Sequence, residues 1–226
     1  DAFVRSPALA WGFYGHRLNL YRATAPHAGF ALLRRWMAAK PDGGGVFTSN
    51  VDGQFHKAGF DAARIVECHG TLHRLQCLAG CSDATWPADD FEPQVDEANC
   101  RLLSPLPRCP HCGALARPNV LMFGDYGWSG DRHDAARDRL DDWLATTRKP
   151  VVIEIGAGSD IATVRRFSEQ VVRRHRGALV RINPREFKLP SGAGQGLALG
   201  ALQALSRIDA ALGASPPATD AFGAVI

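Results

Sequence analysis

Two short-spaced cysteine pairs constrain this chain most: Cys77-x3-Cys81 and Cys109-x2-Cys112, with 27 residues between the pairs. Two hooks of this kind suit a tetrahedral zinc closed by four thiolates, a structural site with no open position. Catalytic zinc is disfavoured, because it needs a ligand set that leaves room for water. Cys100, His73 and His111 lie close enough in sequence to be substitute ligands. The gap exceeds the usual zinc-ribbon range, so its middle is expected to loop out. From residue 71 to 117 periodicity fades, and Pro87, Pro93, Pro105, Pro107 and Pro110 accumulate. Few large apolar residues remain there, so a metal is expected to hold this inserted module together. Thiolate ligation suits a reducing compartment, and a cytoplasmic location is expected.

Around the module the pattern is α/β. Residues 7–22 place Leu9, Trp11, Phe13, Tyr14, Leu18 and Tyr21 at helical spacing,. A second helix follows Pro26, with Phe30, Leu33, Trp36 and Met37 on one face, and stops at residues 41–45,. Residues 46–48, 65–68, 119–123, 151–155 and 178–182 read as short buried strands,. Residues 54–64 read as a short helix, and 131–148, 161–175 and 197–212 as longer ones,. Strands alternating with helices imply a parallel sheet covered on both faces. The small-residue tail, residues 214–226, is expected to be mobile,.

The net charge of +3, from 26 basic and 23 acidic residues, is too weak to point to nucleic acid,. No apolar run approaches a membrane span, so no membrane partner is expected,. The sequence carries no signal of oligomeric state.

Several residues sit where chemistry is usually placed in such folds. A polar turn with Ser49, Asn50 and Asp52 follows the first strand, and His69 ends the second,. A histidine there can serve as a general base near neutral pH, though alone it reads equally as a hydrogen-bonded loop residue. Cys68 precedes it, but adjacent strand residues point to opposite faces, so Cys68 is expected to pack in the core. The turn Gly156-Ala157-Gly158-Ser159 joins a buried strand to a helix, where a ligand anion can approach backbone; alone it is also a plain tight turn,. Tyr14 and Arg17, three residues apart, could hold a carboxylate between them, or could be a core tyrosine and a surface arginine,.

In combination these features are more specific. The turn at 48–53, the His69-Gly70 strand end, the two cysteine hooks, the run at 117–125 containing Phe123-Gly124-Asp125, the turn at 156–159 and Asn183-Pro184 occur here in the order that sirtuins show. The chain resembles this family of NAD-dependent protein deacylases from about residue 3 to 212. The resemblance implies a Rossmann-like domain made from residues 1–70 and 118–213, a zinc module at 71–117, and NAD and an acylated lysine as co-substrates. By motif position it implies that Asn50 and Asp52 contact nicotinamide and its ribose, with Ser49 beside them, and that His69 is the base. Gly156, Gly158 and Ser159 are implied near ribose and phosphates, and Asn183 near the adenosine ribose. Phe123 and Gly124 are implied in the loop that pairs with the substrate backbone. Tyr14-x-x-Arg17 matches relatives that remove acidic acyl groups such as succinyl.

The chain also departs from the family pattern. Ser49 stands for the usual Gln, Gln54-Phe55 for Leu-His, and Gly156-Ala157-Gly158 for Gly-Thr-Ser, leaving Ser159 to supply a hydroxyl. The family's first glycine-rich loop is expected upstream of Asp1. Beside deacetylation or desuccinylation, two alternatives stand. One is ADP-ribosyl transfer or NAD hydrolysis on the same scaffold. The other is a non-catalytic zinc-stabilised binding module, for which the arginines of residues 165–176 are the motive,.

Overall fold

The computed structural model describes residues 2–190 and 192–214, and the backbone of residues 224 and 225. In chain order the helices and strands are α1 (Ala2–Arg5), α2 (Pro7–Ala23), α3 (Ala28–Ala38), β1 (Gly44–Thr48), α4 (Gln54–Lys57), β2 (Ile65–Glu67), β3 (Gly70–Cys77), β4 (Thr85–Pro87), β5 (Val95–Asp96), β6 (Arg101–Leu102), β7 (Ala116–Val120), α5 (Asp131–Thr146), β8 (Val151–Ile155), α6 (Thr163–His175), β9 (Ala178–Ile182), β10 (Gly194–Leu197), α7 (Ala201–Ala214) and β11 (Ala224–Val225). They divide into two compact units. The first holds residues 1–25, 50–54 and 67–135, and the second residues 26–49, 55–66 and 136–226. The expected boundaries at 70/71 and 117/118 do not coincide with these, because α1, α2 and the flanks of the cysteine segment pack with it.

The second unit is the Rossmann-like half. Its sheet has the order β10-β9-β8-β11-β1-β2. The pairs β10–β9, β9–β8, β8–β11 and β11–β1 are parallel. Side chains alternate across it, as the pleat requires. Val46, Ile153 and Ile182 join Leu33 of α3 and Leu205 of α7 in one cluster. On the other face Phe47 stacks on Phe167 of α6, with ring centroids 3.9 Å apart. A Cβ on Gly45 would come within 2.5 Å of Leu140 of α5. Helices therefore cover both faces. Beneath α6, the buried Arg181 of β9 is shared between Glu154 of β8, Glu169 of α6 and the Lys188 carbonyl. Such an ion pair fixes geometry more than it adds stability, but losing one partner would cost about 3–5 kcal/mol.

Two strands of this sheet differ from the sequence expectation. The glycine-rich stretch before α7 contains β10, where Gly194 has φ of +144° and a Cβ would lie 1.9 Å from the Leu179 carbonyl oxygen. Close backbone approach, not β propensity, selects glycine there. The tail expected to be mobile also supplies β11, which runs between β1 and β8. Residues 215–223 and 226 of that tail lie outside the described residues.

The first unit contains the cysteine segment, and it has a core of its own. β3 is central in a three-stranded antiparallel sheet, β4-β3-β7, and β5 pairs with β6. Phe3, Trp11 and Leu18 from α1 and α2 pack against Leu72, Leu75, Leu102 and Ala116. Trp11 Nε1 donates to the Ala116 carbonyl at 3.0 Å. The segment thus has apolar support from helices that precede it by sixty residues or so in sequence, which its own composition could not show. The buried stripe of α2 is Ala10, Trp11 and Leu18; Leu9 and Phe13 are half exposed, against the expectation. β7 begins and ends three residues earlier than the expected 119–123, so Leu121 to Phe123 leave the sheet. Pro118 is tolerated because β7 is an edge strand,. Among the described residues no helix is long and apolar enough to cross a membrane.

Gly12 on α2 offers a test of this packing. Alanine is favoured over glycine inside a helix by about 1 kcal/mol. Here, however, a Cβ would sit 2.1 Å from the Cys100 carbonyl oxygen, backbone that cannot swing aside. Overpacking of about 1–3 kcal/mol is expected to win, so Gly12→Ala should lower the urea midpoint rather than raise it.

Candidate functional site

The candidate residues fall into two groups, one in each unit, and the metal ligands belong to the first. Cys77, Cys81, Cys109 and Cys112 bring their four sulfurs within 4.8 Å of one another. The distances Cys77–Cys112 and Cys81–Cys109 are both 3.6 Å. Four sulfurs at about 2.3 Å from one zinc lie about 3.8 Å apart, so the set fits that ion. Each hook folds back on itself: Gly80 N donates to the Cys77 carbonyl and Gly113 N to that of Cys109. Burial raises the Cys77 thiol, but hydrogen bonds from Cys81 and Cys112 outweigh it and bring it to about 7. Cys81, hydrogen-bonded by Cys112, Cys109 and Cys77, is pushed up to about 12. A cation bound among the four sulfurs would take the place of their protons. Cys100 is exposed and Cys68 buried, and neither joins the cluster.

Asn50, Asp52 and His69 lie in the same unit. The turn at 50–54 is sewn to β3, because Leu72 N donates to the Val51 carbonyl and the His73 ring donates to that of Asp52, at 3.0 Å each. The Asp52 carboxylate accepts from Gln54 N at 3.0 Å, and the buried Gln54 amide reaches the Tyr21 carbonyl of α2. Asn50 remains exposed, and Asp52 and His69 are half-buried. Gly70 follows His69 with φ of +75°, and a Cβ there would come 2.0 Å from the Asn119 carbonyl oxygen. Only glycine lets the His69 turn close against β7. The His69 carbonyl then accepts from Leu121 N at 3.0 Å, so the histidine turn abuts the start of the 121–127 loop.

That loop carries Phe123 and Gly124 on a rigid base. Arg117 and Asp125, both nearly buried, pair with each other. Asp125 also accepts from Met122 N and Gly127 N. Buried Gln76 donates to the Gly127 carbonyl and accepts from Ser129 N and the Asn119 amide. Phe123 and Tyr126, by contrast, stand almost wholly in solvent. Burial alone would raise the Asp125 carboxyl, but Arg117 and the two backbone donors hold it below the usual carboxylate range. Arg117 and Gln76 escaped sequence reading; His73, weighed there as a substitute metal ligand, instead holds the Asp52 carbonyl, and Asp125, read only as part of the 123–125 motif, fixes the base of the loop.

Tyr14 and Arg17 are near each other but do not share a hydrogen bond. Tyr14 stacks on Phe3, and burial raises its hydroxyl pKa. Arg17 donates to the Tyr21 hydroxyl and lies over the Phe13 and Tyr21 rings.

In the second unit, Ser49 follows β1, and Gly156, Gly158, Ser159 and Asn183 cluster at the ends of β8 and β9. Gly156 N donates to the Ile182 carbonyl at 2.9 Å. Asn183 donates to the Ala157 carbonyl and accepts from the backbone of Arg185 and Glu186. Arg165 also binds the Ala157 carbonyl and pairs with Glu186 at 3.2 Å. The Glu186 carboxyl is held low first by the Ser159 hydroxyl, then by its backbone and Arg165. The turn is not the first turn of the helix, since α6 begins at Thr163.

The chain belongs to the Sir2 family, whose profile matches residues 1–142. It is 28% identical over 186 residues to an NAD-dependent protein deacylase of Pyrococcus furiosus, covering 81% of this chain and 66% of that protein. It is 30% identical over 202 residues to an NAD-dependent protein deacylase of Methylococcus capsulatus, covering 87% of this chain and 71% of that one. The chain thus spans about two thirds of the length of the relatives it matches. Among solved structures, a Sir2 homologue in complex with NAD has a TM-score of 0.70 at 22% identity, over 93% of this chain and 74% of that one. A mutant Sir2 homologue in complex with ADP-ribose has a TM-score of 0.67 at 25% identity, over 96% and 80%.

Two outcomes follow for this site. Chelation should release one zinc per chain and lower the melting temperature, and Cys112→Ala should lose the metal while Cys68→Ala and Cys100→Ala retain it, as read by elemental analysis. Asp125→Asn should destabilise by about 3–5 kcal/mol near neutral pH, because Arg117 is left buried and unpaired. The Asp125 carboxyl is depressed in the folded chain, so this stabilisation is present above its ordinary pKa and lost as pH falls through the folded value,. The gap between wild type and variant in denaturant titrations should therefore shrink on acidification.

Proposed function

We propose that this protein is an NAD-dependent protein-lysine deacylase, in which His69 is the general base. The observation that carries the reading is the His69 carbonyl bond to Leu121, which sets the histidine turn beside the loop bearing Phe123 and Gly124. A base and a peptide-pairing loop are needed side by side when an acyl-lysine is to be attacked and relieved of its acyl group. NAD would supply the activated anomeric carbon from which nicotinamide leaves as the acyl oxygen attacks. Asn50 and Asp52 hold the nicotinamide and its ribose in this reading, from a turn already fixed by His73 and Gln54. His69 would take a proton from a ribose hydroxyl, whose oxygen adds to the acyl carbon; the bond from that carbon to the lysine nitrogen then breaks, the amine leaves with a proton, and one water frees the acyl group as an ester of ADP-ribose. Ser49, Gly156, Gly158 and Ser159 lie along the ribose and phosphates, and Asn183 along the adenosine ribose. Phe123 and Gly124 pair with the peptide backbone by strand addition. Zinc at the four cysteines is structural and takes no part in the chemistry.

Acyl choice is the finer part of the proposal. Tyr14 and Arg17 would receive an acidic acyl group only if Arg17 leaves Tyr21 or reaches past it. A neutral acyl group demands no such move. ADP-ribosyl transfer or NAD hydrolysis is the second reading, motivated by the altered Gly156-Ala157-Gly158 turn and by Ser49.

The test is a mass-spectrometric panel of acetyl-, succinyl- and long-acyl-lysine peptides with NAD, on the full-length protein. Nicotinamide release that requires acyl peptide is the expected result, and His69→Ala should reduce it about 10²–10⁴-fold. Nicotinamide release at the same rate without peptide would replace deacylation by the second reading.

A further inference from the structure

A cleft of about 660 Å³ opens in the second unit beside the start of β1, at the opposite end of that strand from Ser49. Its walls come from α3, the 40–44 turn and residues 59–64. Arg34, Arg35, Lys40 and Arg64 line it, against two carboxylates, Asp42 and Asp61. Arg35 is answered by Asp209 of α7, which leaves Arg34, Lys40 and Arg64 to face an occupant. Among the described residues Lys40 has no ion-pair partner.

The two guanidiniums are seated rather than loose. Arg34 donates to the Ala58 carbonyl at 2.9 Å. Arg64 donates to the Asp42 carbonyl at 2.8 Å and lies over the Trp143 ring, 5.3 Å from its centroid. Two glycines with positive φ, Gly43 and Gly59, lie beside these seats. A Cβ on Gly59 would stand 3.3 Å from Arg34 Nη1, and one on Gly43 would stand 3.0 Å from Arg64 Nη1. Each fork spends one N–H on its carbonyl and keeps further donors, since a guanidinium carries five. Two planar forks and an unpaired ammonium offer the bidentate donors that suit carboxylate and phosphate alike, and three positive charges in one cleft favour the more highly charged phosphoryl group,. The volume lies in the range of small-molecule and cofactor sites.

We infer that this cleft is a second ligand site, separate from the candidate residues at the carboxyl ends of β1, β8 and β9, and that it takes an anion of the phosphate or polyphosphate class. Arg34 and Arg64 clamp the phosphoryl oxygens, and Lys40 supplies the mobile charge that closes over them. Arg35 stays with Asp209.

Inorganic pyrophosphate, titrated into ¹⁵N-labelled protein at physiological salt, tests this directly. The expected result is a saturable shift of the Gly43, Gly44 and Gly59 amides with a Kd below about 1 mM. Lys40→Gln, an unpaired side chain whose loss leaves the fold intact, should weaken it at least about tenfold, the loss of one charge-assisted contact. Arg64→Gln should weaken it further, with Arg64→Lys recovering only part because the planar fork is gone. No saturable shift, shifts confined to residues 156–159, or binding that Lys40→Gln leaves unchanged would each overturn the inference.

Discussion

Four sulfur atoms gathered at one end of β3 bear on almost everything in the first unit. Cys77 is the last residue of β3, and its neighbour Gln76 holds the Gly127 carbonyl and Ser129 N. Across the sheet Cys77 pairs with Ala116, whose carbonyl receives the Trp11 indole. The metal ligands, the helix that roofs the core and the base of the exposed aromatic loop are therefore one or two residues apart in the bonded network. A zinc ion in this cluster would bind the folded arrangement and not the open chain, so its binding energy becomes folding energy. The apolar core shared with α1 and α2 means that the metal does not act alone.

Both groups of candidate residues are built on the same device, a loop whose base is held by side-chain hydrogen bonds while its tip is left open. Arg117 and Asp125 fix the base of the 121–127 loop, and Phe123 and Tyr126 project from it. Asn183 and Arg165 fix the Ala157 carbonyl, while Gly156 and Ser159 remain at the surface. Positioning is done by side chains that need not touch a ligand. Those side chains are the ones most costly to remove, because burial leaves their partners without water.

Much of this could be read from the residues, and the exceptions have physical causes. β8 and β9 match their expected limits because each is a short apolar run closed by glycine or proline at its ends,. The cysteine quartet was legible because each hook is local. Burial of Leu18 and Trp11 but not Leu9 depended on which face met Ala116, a fact set a hundred residues away. Arg17 had Tyr14 and Tyr21 both at helical spacing, and spacing could not choose between them,. Arg165, meeting both Ala157 and Glu186, joins two turns that follow different strands. β10 was hidden because its glycines carry no strand signature; they are there for the backbone beside them.

The position of β11 has a kinetic side. β1 and β8 do not pair with each other; they meet through a strand in which Ala224 sits opposite both Gly44 and Val151. Residues 44 and 224 are far apart along the chain, so this pairing closes one of the longest loops in the molecule,. During synthesis β1 emerges early and must wait for that partner with one edge unpaired. Such a waiting edge is a natural place for chaperones to hold the nascent chain, and for wrong strands to add if they do not.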